Sequence, residues 1–425
     1  MITAAIIVSA TPLAIIPDHA WSHDLTKTDK NVKLLQIPGV VSLLWVIALG
    51  IGSFSLLLPL SPAWAIRGGA SEAAAGSVTA ILMAFTILTQ LSVNWALKRF
   101  GWAAVLGAGL FCLGAPALLQ ATSLGLPALL ISSAVRGIGF GILTVGGATA
   151  IALLVPAAQR GAAVGIYGLA VAGPQLVLVS SAPILEQHLG RLLITLLATL
   201  PVLGLFWTSA LGRLLNDRTR SADAPNAENT KAPQSTLTLI LPVLLSLFIV
   251  TSSGGAILTF ASQITADASS ATIALLCLTG FATPTRWAFG SMSDRYPTKY
   301  LILGLAVVCF LAMAALSASL LSSSIAQGLL LLYLGSTLLG VSYGGMQSAT
   351  LVCAYRLAGN AHLARVSVLW NVTFDLGTGV GAMLTGLIAA TTGFAAAFGF
   401  LSVAAIVSAL VVIKTLKPTA MSDPH

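Results

Sequence analysis

Long apolar runs, each about the length of a bilayer crossing, alternate with short polar breaks along almost the whole chain. A helix needs about 20 mostly apolar residues to cross the hydrocarbon core of a membrane. Twelve runs meet that length: 35–60, 73–97, 103–122, 126–154, 161–184, 190–212, 237–262, 270–290, 300–320, 326–354, 365–389 and 393–414. The segments between them carry Gly, Pro, Asn or charge, the residues that end helices and form turns. The longest polar stretch, 213–236, has no hydrophobic period and reads as a solvated linker between spans 6 and 7. The predicted organisation is a cytoplasmic extension (1–34), a six-helix bundle (35–212), the linker (213–236), a second six-helix bundle (237–414) and a tail (415–425). Within the extension, Met1–Ile16 is apolar but stops at Pro17, short of a span, and lacks the basic start of a secretory signal. A short interfacial helix and a start site assigned too far upstream both fit it.

Composition agrees with this pattern. Of 425 residues, 57% are hydrophobic and 8% charged, against roughly 25% charged in soluble domains. A soluble enzyme, a nucleic-acid binder and a disordered chain are all excluded. The net charge of +8 has a topological meaning. With the N-terminus placed in the cytoplasm, 16 of the 20 Lys and Arg fall on the inner side, only Arg67 and Arg191 fall outside, and Arg136 and Arg286 fall within spans. Cytoplasmic loops of membrane proteins collect such cations, which places both termini inside. Cys112, Cys277, Cys309 and Cys353 lie in apolar segments without a CxxC pair. They read as packing residues, and no metal or cofactor is implied. No phosphate-binding loop, zinc-protease motif or nucleophile elbow is present, and the five His residues lie in loops or tails, so the chain does not read as an enzyme.

The two halves repeat. Asn94–Phe100 after span 2 corresponds to Gly290–Tyr296 after span 8, Gly137–Gly141 in span 4 to Gly340–Gly344 in span 10, and Arg160 to Arg365, at offsets of 196, 203 and 205 residues. Internal repeats mark secondary transporters, whose substrate site lies between the halves near the bilayer midplane.

Three segments make the resemblance specific. Gly290-Ser-Met-Ser-Asp294-Arg295-Tyr-Pro-Thr-Lys299 resembles the loop that follows spans 2 and 8 in the major facilitator superfamily. The first copy here is degraded, with Asn94 and Lys98 in place of its Gly and Asp. Arg136-Gly-Ile-Gly139-Phe-Gly141 resembles that family's intramembrane arginine motif. Gly168-Leu-Ala-Val-Ala-Gly173-Pro174-Gln175-Leu176 resembles its antiporter motif, with Val177-Leu178 replacing the final Gly pair. The resemblance covers about residues 35–415. It implies an all-α membrane protein with twelve transmembrane helices in two pseudo-symmetric six-helix bundles, the major facilitator fold, working by alternating access. It assigns Asp294, Arg295 and Lys299, with Arg286, Gly173 and Pro174, to gating.

Asp375 is the only acid in the middle of a span. Burial in a low dielectric penalises the charged form of a carboxyl, and intramembrane acids mark proton paths, so Asp375 is the expected proton-coupling residue. A structural Asp bonded to a neighbouring helix is the plainer reading. Arg136, about 15 Å deep at 1.5 Å per residue, either meets a substrate or bonds to backbone carbonyls. Facing Asp375 across the cavity is one expectation for it. Tyr167, Gln175, Tyr343, Gln347, Trp370 and Asn371 are the further substrate-binding candidates, each equally readable as packing. Gln90 and Arg286 sit toward the inner ends of spans 2 and 8 and read as gate or loop elements. Gly254-Gly255 is expected to loosen span 7. The expected partners are the bilayer, protons and a small-molecule substrate, on a plasma-membrane monomer without nucleic acid. Proton-coupled export of a small, fairly apolar compound is the first functional expectation. Import of a small anion bound by Arg136, and a non-transporting scaffold or sensor, are the alternatives.

Overall fold

The computed structural model describes residues 34–156, 159–222, 234–358 and 363–415. The N-terminal extension and the tail, with the expectations attached to them, lie outside the described residues. Apart from 3-10 turns at Leu34–Gln36 and Leu200–Gly204, a π turn at Gln175–Val179, and the connecting turns and loops, the described residues are α-helical. Helices satisfy every backbone group internally, which is what an apolar solvent demands. Large apolar side chains such as Leu192, Phe206 and Leu330 stand exposed on the surface, where lipid tails would cover them.

Ten segments among the described residues are long and apolar enough to cross a membrane. Two of them, Glu72–Thr122 with 51 residues and Gly165–Thr219 with 55, are each more than twice the length of one crossing. Gly101 (φ 78°, ψ 166°) interrupts the first and Gly190 (φ 74°, ψ 162°) the second. Both glycines occupy a backbone region essentially closed to other residues. The chain folds back at Gly101, because Leu82–Thr89 and Gly109–Leu113 both lie against the same turns of the helix carrying Gly137–Gly141.

Dividing the two long segments at these glycines gives twelve crossings among the described residues. They are α1 (Val40–Leu57, continued by Leu60–Arg67), α2 (72–100), α3 (102–114, continued by Ala117–Thr122), α4 (Leu126–Leu154), α5 (Arg160–Pro174, a π turn at Gln175–Val179, then 180–189), α6 (191–197, a 3-10 turn at Leu200–Gly204, then Leu205–Ala222), α7 (Gln234–Phe260), α8 (Ala268–Arg295), α9 (Thr298–Leu321), α10 (Ile325–Ala358), α11 (Leu363–Thr392) and α12 (Phe394–Thr415). Helix α6 runs through the first ten residues of the segment expected to be linker. Its buried Leu211 and Leu215 explain this, as do Asn216 and Thr219, which accept hydrogen bonds from the backbone N–H and indole Nε1 of Trp102.

The internal repeat reappears as packing. A side chain on Gly137 would meet the carbonyl of Leu82, and one on Gly141 the carbonyl of Thr86. The same substitutions at Gly340 and Gly344 would meet the carbonyls of Leu278 and Ala282. The glycines are shifted by 203 residues and their partners by 196, the offsets read from the sequence. Small residues let helix backbones approach this closely, so α4 on α2 and α10 on α8 are one contact built twice. Gly254 and Gly255 do not loosen α7, which is continuous. They lie beneath the Tyr343 ring and against Thr378 of α11.

Helices α2 and α11 meet between the halves in an antiparallel seam: Glu72 with Gly386, Gly76 with Ala382, Met83 with Gly379, and Gln90 with Asp375. Thr79 bonds Thr259 of α7 at 3.1 Å, and Ser180 of α5 bonds Thr279 of α8 at 2.7 Å. All these contacts lie from the middle of the helices toward the side away from Ala222 and Gln234, the ends of α6 and α7. On the linker side the halves diverge. Asn94 and Asn371, one turn beyond Gln90 and Asp375, are exposed. Gly165, Gly168 and Gly173 of α5 have no atom within 4 Å of where a side chain would begin.

Candidate functional site

Among the described residues, the side-chain hydrogen bond between the halves that lies nearest the linker side joins Gln90 to Asp375. Asp375 lies near the middle of α11 and is 5% exposed. The Gln90 side-chain amide Nε2 donates to Asp375 Oδ2 at 2.8 Å and reaches Thr144 Oγ1 of α4 at 3.3 Å. Gln90 Oε1 is buried and has no partner. A buried carboxyl is thus held by an amide that still has a free acceptor beside it. Sequence reasoning placed Gln90 at a gate rather than at this acid. The signal that could have found it is a glutamine within an apolar helix, which needs a partner there.

Two further groups belong to this region. Tyr343 of α10 precedes Gly344, which packs against Ala282 and Thr285 of α8, and its ring lies over Gly254 of α7. Its ring centroid is 5.8 Å from that of Phe374. Arg286 is exposed, and its backbone carbonyl accepts a bond from Ser348 of α10 at 2.6 Å. It shares a face of α8 with Thr279, two turns away, and Thr279 is the residue that touches α5. Arg286 therefore points into the opening between the halves.

The other expected site residues are placed elsewhere. Arg136 is fully buried inside the N-terminal half and does not face Asp375: its Nη2 donates to the Ser53 carbonyl at 2.9 Å and its Nε to the Leu113 carbonyl at 3.4 Å. It cross-ties α1, α3 and α4. Tyr167 packs on Gly147 of α4. Trp370 stacks on Phe374 and donates through Nε1 to Thr350 Oγ1 at 3.0 Å. Asn371 donates to the Ser367 carbonyl within its own helix. Gln347 is buried one turn from Tyr343. Gln175 opens the π turn that follows Pro174, which has no N–H for the helical ladder. Gly173 has no close neighbour, so the close packing expected of it is not made in this conformation. In the loop motif, Asp294 pairs with Arg356 at the end of α10 at 3.3 Å, and Lys299 donates to the Ile413 carbonyl near the end of α12 at 3.1 Å. Arg295 is exposed. Those contacts lie within the C-terminal half.

A cavity of about 590 Å³ lies on the closed side between the halves, lined by Arg67, Glu72, Glu186, Gln263, Asp267 and Phe394 among others. It holds none of the expected site residues. Arg67 is paired with Glu186 there at 2.9 Å.

The sequence profile of the Major Facilitator Superfamily matches residues 43–332 and 243–424. The chain belongs to the Major Facilitator Superfamily. It is accordingly a multi-pass membrane transporter and not an enzyme. No curated protein matches the sequence. Among solved structures, a bacterial homologue of the human lysosomal transporter Spinster, inward-facing and occupied, superposes with a TM-score of 0.68 at 14% identity, covering 91% of this chain and 98% of that one. The same homologue, inward-facing and unoccupied, gives 0.64 at 14% identity, covering 89% and 94%. A POT family transporter in complex with 5-aminolevulinic acid gives 0.69 at 15% identity, covering 90% and 97%. These likenesses concern the fold.

Proposed function

We propose that this superfamily member is a proton-coupled exporter of a small, partly apolar compound, with Asp375 as the proton carrier. The observation that carries the reading is the Gln90–Asp375 bond, which joins the halves at the edge of the opening on the linker side. An ionised Asp375 accepts a charge-assisted hydrogen bond from Gln90 Nε2, which favours halves held together at this point. A protonated Asp375 carries an O–H that needs an acceptor. Rotation of the Gln90 amide offers Oε1, the atom left without a donor here. The same pair thus accommodates both protonation states, with different strengths. That difference is what a proton requires in order to bias one conformation over the other.

The linker side is read as cytoplasmic on the 16-to-2 distribution of Lys and Arg, which makes this conformation inward-open. The plasma membrane is the membrane we assign. Alternating access then consists of the halves rocking about the seam. Import of a small anion bound by Arg136 is disfavoured: that guanidinium is fully buried and holds two backbone carbonyls, with only Nη1 left without a partner.

The test uses everted vesicles energised to an acidic lumen. An exported compound should accumulate in the lumen and dissipate the pH gradient. Asp375→Asn should abolish both signals in protein that still folds and inserts. Accumulation in right-side-out vesicles under an outside-acid gradient, with none in everted ones, overturns the export reading.

A further inference from the structure

The internal repeat gives each residue of the site a mate in the other half. At the offset of 196 that relates α2 to α8, Gln90 corresponds to Arg286. At 203, which relates α4 to α10, Thr144 corresponds to Gln347 and Phe140 to Tyr343. Gln90 reaches across the interface to Asp375 on α11. The equivalent reach for Arg286 is toward α5, where the offset of 205 puts Ala170 in the place of Asp375, and the next turn is Gly173. No Asp or Glu occurs anywhere between residues 161 and 184. The interface therefore holds an acid with a neutral donor on one side and a cation facing no acid on the other.

That asymmetry sets a charge requirement. A guanidinium within a membrane-spanning helix is costly unless an anion or water attends it. Among the described residues no ion pair includes Arg286, whose side chain is exposed toward the opening. Asp375 takes its hydrogen bond from Gln90. Arg286 follows Thr285, which packs with Ala282 against Gly344, the neighbour of Tyr343, and the Tyr343 ring is 5.8 Å from that of Phe374, so aromatic faces lie at about the depth of Arg286. A planar fork of donors next to aromatic faces matches a carboxylate carried on an apolar body.

We propose that Arg286 is the anion-binding residue of the transport cavity, and that the compound carried is an organic monoanion with an apolar or aromatic body. This rests on the transporter reading of the same cavity and adds the substrate class.

The test is binding to the purified full-length protein, read by thermal shift and then by titration. The probes are matched sets on one skeleton: naphthalene-2-acetate, naphthalene-2-acetamide and 2-(2-naphthyl)ethylamine, with indole-3-propionate and its amide as a second set. The acids should stabilise the protein and their amides and amines should not. Arg286→Gln should weaken acid binding by about tenfold or more, with Arg286→Lys intermediate, in variants that elute as monodisperse protein. Three outcomes overturn the proposal: acids binding no better than their amides, Arg286→Gln leaving acid affinity unchanged, or acid binding restored by adding Asp375→Asn to Arg286→Gln. The third would mean that Arg286 only neutralises Asp375. Preference for amines, together with their accumulation in everted vesicles, would refute the substrate class and leave the transporter reading standing. Failure of every compound to move protons or accumulate would refute the transporter reading itself.

Discussion

Arg136 and Arg286 are both arginines inside apolar helices, and the fold gives them opposite surroundings. Arg136 is enclosed, and its donors satisfy the Ser53 and Leu113 carbonyls between α1, α3 and α4. Replacing it with Leu strands those acceptors and leaves unfilled volume. The expected loss is on the order of 2–4 kcal/mol of stability, read as a lower melting temperature of the detergent-purified protein, and compounds that still bind should keep their affinity. A large loss of affinity with no change in melting temperature would instead make Arg136 a ligand. Composition and position alone identified Arg136 and Asp375 as exceptional, whereas Arg286 read as a gate or loop element near the inner end of its span. Their partners were not legible, because a helix position specifies a face only once its neighbours are known. Gln90 shows this most clearly: the sequence displays a glutamine in span 2, and only the packing of α2 on α11 brings it to Asp375 across 285 residues of chain.

At the level of the helices, glycine positions divide into those already in contact and those waiting for one. Gly141 and Gly344 are in contact, each against a carbonyl of the neighbouring helix. Leu at either position must force α4 from α2 or α10 from α8. Each should cost about 1–3 kcal/mol or more, and the two losses should be similar because the contact is repeated. Gly173 on α5 has open space instead. Gly173→Leu should therefore leave thermal stability nearly unchanged while slowing transport, if α5 and α8 close on the linker side in the other conformation. Unchanged transport rates would show that this face of α5 stays open throughout. The twelve spans and the repeat were legible because a lipid solvent imposes a length and a composition on every crossing. The end of α6 was less so. Its polar residues 213–222 look like linker by composition, yet Trp102 supplies tertiary partners for Asn216 and Thr219 and carries the helix on.

For the whole molecule, the two sides of the interface carry different chemistry. The closed side is joined by short hydroxyl contacts, Thr79 to Thr259 and Ser180 to Thr279, which are weak enough to break and remake during a transport cycle. The cavity of about 590 Å³ on that side lies where a mouth would open as these contacts part. Thr79 and Thr259 have their hydroxyls 3.1 Å apart and belong to opposite halves, a separation compatible with the short reach of a disulfide. In a chain with the half-buried Cys112 and Cys277 replaced by Ser, Thr79→Cys with Thr259→Cys should cross-link on mild oxidation and hold the protein in the conformation described. Transport in vesicles should stop on oxidation and return with reductant, while neither single variant responds to either reagent. The locked protein should still bind from the linker side, since the seam it fixes lies beyond Gln90 and Asp375. Continued transport by the fully cross-linked protein would mean that the halves do not separate at Thr79 and Thr259, and that access alternates by movement elsewhere in the molecule.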